Sequence, residues 1–290
     1  MSATQIALSL VIGLSSGMLT YLMAAGMSLI ISGMGVINFG QGAFYILGAF
    51  LCYQISSMGL PFWLALLVGI LVPALLGGVL QKLIMPVFDK DMIYSLLITM
   101  GASYIICDVM IMIWGNKVRG TAVPAALGGA IRIPGTMLVF PVYYIFIIIL
   151  SFLIWLAFHI IFNKTMLGVC FRAIINDKEM VEHLGINVNR LFMIMFMIGI
   201  GLGGIAGALN APLSGLTPKA GLSVLNNAMP VLMIGGMGNV SGCLPAAILL
   251  GVISSFAANI MPTWYNLIPT VVMVIVMFIN PDGLFSKKER

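Results

Sequence analysis

The sequence predicts an all-α polytopic membrane protein of about eight or nine transmembrane helices, interrupted by glycine-rich breaks. Three observations predict it. Of 290 residues, 61% are hydrophobic and only 7% charged, against about 25% charged in soluble domains. The apolar residues run in long unbroken stretches near the roughly 20 residues that a crossing helix needs, without the short alternating segments of a barrel. The 33 glycines suit both close helix contact in lipid and breaks in helices.

In chain order the candidate spans are 5–31, 41–57, 61–85, 92–114, 142–163, 191–212, 223–238, 243–260 and 265–280. The 223–238 run is short enough to be a half-helix, hence eight or nine crossings within one transmembrane domain, 1–290. No basic residue precedes Lys82, so the first run lacks the charged start of a cleaved signal and reads as a retained span. If the spans alternate, Lys82, Lys90, Lys164, Arg172, Lys178, Arg190, Lys287, Lys288 and Arg290 share one side, which basic residues mark as the cytoplasm. Lys117, Arg119, Arg132 and Lys219 fall on the other, with the N-terminus. The net charge of +5 therefore reports topology and implies no nucleic-acid partner.

Residues 115–141 form the longest external loop in this reading. Val118 to Ala122 and Ala130 to Pro134 look extended around Ala125–Gly129 and predict a small hairpin. Asp108 is the single acidic residue well inside a span. It lies within two turns of Trp114, which places it near the outer boundary and within reach of Lys117 or Arg119; its functional reading is a place in the transport path.

Motifs for chemistry are missing. The sequence has no phosphate-binding Gly-x-x-x-x-Gly-Lys-Ser/Thr loop and no His-Glu-x-x-His helix. His159 and His183 have no evident partner. Cys52, Cys107, Cys170 and Cys243 are too scattered for a disulfide framework or a zinc site. The sequence thus predicts no enzyme, cofactor or metal centre. One carboxylate inside the spans also leaves ion-coupled transport without a relay.

Two glycine breaks echo each other, Gly33-Met34-Gly35 leading to Asn38, Gln41 and Gly42, and Gly236-Met237-Gly238 leading to Asn239 and Gly242. Paired breaks of this kind point to a translocation path, because interrupted helices offer free backbone groups. Asn38, Gln41, Gly42, Gly236, Gly238 and Asn239 are the candidate path residues. Glycine also serves plain helix packing, and both readings stand.

The polar run from Phe171 to Arg190 differs in kind. Read as one helix from Arg172 to Leu184, it places Arg172, Asn176, Glu179 and His183 on one stripe. Ala173, Val181 and Leu184 form an apolar side, and Gly185 ends the helix. Asp177, Glu179 and Glu182 balance the basic residues, which favours a protein groove over anionic membrane lipid. Residues 164–190 are therefore a cytoplasmic coupling segment, with Arg172, Ala173, Asn176, Asp177, Glu179 and Gly185 as its contact residues.

Three motifs carry a resemblance over residues 5–283. They are Gly35-x-Ile37-Asn38-Phe39-x-Gln41-Gly42; Gly168-x-x-x-Arg172-Ala173 with Asp177, Gly185-Ile186-Asn187-Val188 and the glycines from Gly199 to Gly207; and Gly235-Gly236-x-Gly238-x-x-x-Gly242. The chain resembles the H-type permease of ABC importers for branched-chain amino acids. It departs in carrying Met180 and Val181 where the family often has alanine, and Ala43 where an acidic residue is frequent. The resemblance implies a bacterial inner-membrane importer with a second permease subunit, two cytoplasmic ATPase subunits and an external solute-binding protein. It further implies alternating access and a branched-chain or other hydrophobic amino acid as substrate. The rival reading is a stand-alone secondary transporter or channel for a small solute such as urea or an amide.

Overall fold

A computed structural model describes residues 3–87, 92–132, 139–215 and 217–285. Lys90, Pro134, Lys287, Lys288 and Arg290 lie outside the described residues. The helices are α1 (Ala3–Met34), α2 (Gln41–Ser57), α3 (Phe62–Ile84), α4 (Met92–Trp114), α5 (Val142–Lys164), α6 (Met166–Asn176), α7 (Lys178–His183), α8 (Val188–Asn210), α9 (Gly221–Gly235), α10 (Val240–Ile260) and α11 (Ile268–Ile279). Strands β1 (Ala130–Arg132) and β2 (Val139–Pro141) form the single ribbon among the described residues.

Among the described residues six helices, α1, α3, α4, α5, α8 and α10, are long and apolar enough to cross a membrane. The remaining apolar runs fold as shorter helices, α2 of 17 residues, α9 of 15 and α11 of 12. At 1.5 Å per residue these reach about 25, 22 and 18 Å, short of a hydrocarbon core of about 30 Å.

The interior is organised around α8. Lipid gives helices no hydrophobic reason to associate, so they hold together by van der Waals fit and hydrogen bonds. Glycine makes that fit close. A Cβ on Gly207 would overlap the Tyr45 carbonyl of α2, one on Gly204 the Gly69 carbonyl of α3, and one on Gly199 would come within 2.6 Å of the Gly26 carbonyl of α1. A second seam joins α1 to α10. There Gly17 and Gly251 are in backbone contact, Ser255 donates to the Ser9 carbonyl at 2.7 Å, and Asn259 donates to the Ser9 hydroxyl at 2.8 Å. Tyr143 at the start of α5 donates to the Leu209 carbonyl at 2.7 Å, satisfying an acceptor that the end of α8 leaves open.

The 115–141 loop holds a hairpin, but its pairing corrects the expectation. Ala130–Arg132 pairs antiparallel with Val139–Pro141, Ile131 opposite Phe140. Residues 118–121 run against the loop after α8 instead, where the Thr121 N–H reaches the Ala211 carbonyl at 3.3 Å. The turn closed by Leu127 N–H on the Pro124 carbonyl, 2.8 Å, reverses the chain without laying its two flanks side by side. Arg119 is also placed differently from expectation. It donates to the Tyr53 hydroxyl at 3.0 Å and the Trp114 carbonyl at 3.2 Å, while Asp108 faces outward from α4, exposed.

The α8 seam predicts a contrast. Gly207→Val drives a side chain into backbone that cannot yield, and overpacking of this kind costs about 1–3 kcal/mol or more. Gly101→Ala meets open space. Yield and thermal unfolding in detergent are expected to collapse for the first and hold for the second.

Candidate translocation site and coupling segment

At the first break the chain leaves α1 through Gly35, whose φ of +64° is a left-handed turn suited to glycine. Asn38 then organises the start of α2. Its Oδ1 accepts the Gly40 N–H at 2.9 Å and its Nδ2 donates to Gln41 Oε1 at 3.4 Å. Gln41 Nε2 donates to the Gly199 carbonyl at 2.8 Å, and the Phe39 N–H reaches Thr99 Oγ1 at 3.3 Å. Gly26, Gly199 and Gly203 crowd the Gln41 amide closely enough that no Cβ would fit at Gly26 or Gly203. Both Asn38 and Gln41 are fully buried. Gly42 packs on the backbone of Gly221 at the start of α9. Because Gly199 lies midway along α8, α2 begins halfway through the helix bundle.

The second break is built with the same parts. Gly236 and Gly238 have φ of +89° and +83°. Asn239 caps α10, its Oδ1 accepting the Gly242 N–H at 3.2 Å. Its Nδ2 donates to the Phe285 carbonyl at 2.6 Å, and the Leu284 N–H donates to the Ile234 carbonyl at 2.9 Å. The segment after α11 thus clips onto the end of α9 and satisfies groups that the break leaves free. Gly238 lies against Ser32 near the end of α1.

The coupling segment corrects the single helix read from the sequence. Helix α6 stops at Asn176, Asp177 is extended (φ −155°, ψ 98°), and α7 starts after it. Asp177 Oδ1 accepts the Met180 N–H at 2.9 Å. A short acidic side chain at this position captures a backbone donor better used to begin a helix than to continue one. Arg172, Asn176, Glu179 and His183 therefore do not share one helical stripe. The expected end is present. Gly185 has φ +77°, its N–H reaches the Glu182 carbonyl at 3.0 Å, and the Ile186 N–H reaches the Val181 carbonyl at 3.4 Å, the paired bonds of a Schellman cap. Asn187 then caps α8, accepting the Arg190 N–H at 3.1 Å.

Arg172 turns back toward α5. Its guanidinium donates to the Phe162 carbonyl, beside Gly168, where any Cβ would overlap the same carbonyl. Arg172 lines a cleft of about 190 Å³ together with His159, Asn163, Gly238 and Asn239. The structure thus brings Arg172 together with the second break and leaves Asn38, Gln41 and Gly42 apart, in the interior. Ala173 is half-buried, while Asn176, Asp177, Glu179 and Gly185 are exposed. Sequence reasoning passed over Met180, 58% exposed, and misplaced Leu184, 70% exposed. Both project outward, while Val181 is the residue that packs inward. Their i, i+4 spacing was the available signal.

Comparison with known proteins decides the family. Residues 9–277 match the family described as "Branched-chain amino acid transport system / permease component". The chain belongs to this family. It is 24% identical to the high-affinity branched-chain amino acid transport system permease protein BraD of Pseudomonas aeruginosa, covering 97% of this chain and 95% of that one. It is 25% identical to LivH of Salmonella typhimurium, covering 96% and 94%, and 24% identical to LivM of the same organism, covering 92% and 68%. A chain of PsaBC from Streptococcus pneumoniae in complex with Fab aligns over 93% of this chain and 91% of its own, at 13% identity and a TM-score of 0.49. The protein is a multi-pass transport permease, and a stand-alone transporter or channel is not favoured.

The buried amide node makes a prediction for this permease. Gln41→Leu strips the Gly199 carbonyl and Asn38 of a partner, and an unsatisfied buried group costs about 1–3 kcal/mol. Accumulation and melting temperature are expected to fall. A variant that keeps its wild-type melting temperature and loses only uptake would instead give Gln41 a place in the path.

Proposed function

We infer that this permease is the membrane-spanning subunit of an ATP-driven importer for branched-chain or other hydrophobic amino acids. It works by alternating access with a second permease subunit, two cytoplasmic ATPase subunits and an external solute-binding protein, in the bacterial inner membrane. The observation that carries the reading is the α6–α7 unit. It is capped at each helix start, closed by Gly185, mixed in charge and exposed, between two helices that are almost wholly apolar. Family membership supports the solute class. In this reading α2, α9 and α11 join the six long helices to give eight or nine crossings, with the N-terminus and the 115–141 loop outside and residues 164–190 inside. A thiol placed at Lys178 is then reached only from the cytoplasm and one at Val123 only from outside.

Docking on an ATPase is carried by Met180 and Leu184, with Glu179 and Glu182 on the rim and Asn176 and Asp177 at the joint. Arg172 holds α6 against α5, and Ala173 allows a close approach of the ATPase. Buried interface anchors commonly cost about 2 kcal/mol or more when removed. Met180→Asp with Leu184→Asp is therefore expected to lose ATPase in co-purification and leucine uptake in liposomes carrying the full complex. Neither side chain packs inside, so the melting temperature of the permease alone is expected to hold. Undiminished co-purification of the ATPase would remove α7 from the interface.

A further inference from the structure

The solute-binding surface need not coincide with the glycine breaks, since Asn38 and Gln41 are sealed inside the chain. A different face offers what a path needs. Helix α9 exposes Ser223, Asn226 and Asn227, spaced i, i+3 and i+4 and therefore on one side of the helix. Asn227 opens into a groove of about 210 Å³ between α1, α9, α10 and the 3-10 turn Tyr265–Leu267. Ser16 and Thr20 of α1, Ser254 of α10, and Tyr265 and Asn266 of the turn supply its other polar groups. Val231 and Leu250 supply part of its apolar wall.

The groove runs from the exposed turn at Tyr265 and Asn266 inward along the helices. It meets α10 between Ala247 and Ser254, the middle of a helix that runs from Val240 to Ile260. Polar side chains at this depth are costly against lipid and normally face a protein partner or a water-filled cavity. Hydroxyls can evade the cost by bonding back along their own helix, as Ser16 does to the Gly13 carbonyl at 3.1 Å and Thr20 to the Ser16 carbonyl at 2.8 Å. Asn226 and Asn227 have no side-chain hydrogen bond among the described residues. Backbone adds to them. Pro230 lies inside α9 and has no N–H to return to the carbonyl four residues earlier, which is that of Asn226. Helix α9 thus presents two exposed amides without a side-chain partner among the described residues, and a backbone carbonyl that Pro230 cannot bond.

We propose that this groove, with Asn227 on its wall, is the permease's half of the solute-binding site. Its lining carries no charged side chain. Neutral donors and acceptors interspersed with aliphatic groups, Asn227 with Val231 on α9 and Ser254 with Leu250 on α10, fit a small zwitterion with an apolar side chain better than a solute with a net charge. The solute class rests on the function inferred above; the placement of the site does not.

The test uses the complete transporter in liposomes and in membranes, in a background of Cys107→Ser and Cys170→Ser, which leaves the buried Cys52 and Cys243. Asn227→Cys and Thr20→Cys are expected to react with a charged, membrane-impermeant methanethiosulfonate. Ile275→Cys on the exposed flank of α11 and Asn38→Cys are expected to resist it. Millimolar leucine is expected to slow modification of Asn227→Cys at least fivefold, and Asn227→Leu to cut leucine uptake at least tenfold while ATPase co-purification and melting temperature hold. If Asn227→Cys stays unmodified and Asn227→Leu transports leucine at the wild-type rate, the groove is overturned and amino-acid import survives. If Asn227→Cys and Thr20→Cys react but leucine neither protects them nor is taken up by the unmodified transporter, the site stands and the solute class falls.

Discussion

Backbone touching backbone along α8 is the constraint on which the rest of the fold depends. Each glycine inside a helix costs about 1 kcal/mol relative to alanine, and α8 carries Gly199, Gly201, Gly203, Gly204 and Gly207 within nine positions. In water such a helix would be poor. In lipid the alternative to close packing is contact with equally apolar chains, so the gain from bringing Tyr45, Gly69 and Gly26 carbonyls to van der Waals distance is what offsets the cost. The contact also exposes α8 carbonyls to neighbours, and one of them, at Gly199, becomes the acceptor that fixes Gln41.

From that node the short helices follow. With Gln41 held midway along α8, α2 must begin inside the bundle, and Gly42 then gives α9 a backbone to start against. A helix that starts inside need not be long enough to cross, which is why 15 residues suffice for α9. The second break repeats the device at the other end of α9. There an asparagine again captures the N–H groups of the next helix, and the segment at Leu284 and Phe285 closes the free carbonyls.

The boundaries of helices were legible because apolar runs and their punctuation are written in one dimension. The runs 41–57 and 92–114 became α2 and α4 residue for residue, and Gly185 ended α7 as its position beside Leu184 demanded. Direction around a helix was less legible. Asn38 and Gln41 look like path residues because polar groups in an apolar chain invite that reading, but their bonds to Gly40 and Gly199 turn them inward. Asn226 and Asn227 sit inside a predicted span and drew no notice, since nothing linear says that α9 turns them outward. Asp177 shows a third case. Helical periodicity counts it as one more polar position, whereas its side chain takes the Met180 N–H and restarts the helix. The hairpin failed for a similar reason: extended-looking residues specify strands, not partners.

Mechanical continuity joins the two polar regions. The chain leaves α7 through Gly185, is capped by Asn187 and becomes α8 without a loop long enough to absorb motion. Any displacement of α7 by a docked partner is therefore delivered to α8 itself. Helix α8 is closely held, its glycines lying against backbone of α1, α2 and α3. Its Gly199 carbonyl holds Gln41, so a shift of α8 bears on the start of α2. The other route runs through Arg172, bonded to the end of α5 and facing Asn239 across the cleft, and so reaches the turn between α9 and α10. That turn holds two residues with positive φ within three positions, and α9, which leads into it, carries Pro230 within its length. Under the inferred transport function, a push that reaches both the glycine-packed α8 and the proline-bearing α9 acts on two differently held helices. The difference falls on the face of α9 that carries Asn226 and Asn227. In the inferred importer, work done on a charged surface segment would in this way reach the neutral amides of α9, with no charge having to enter the apolar region.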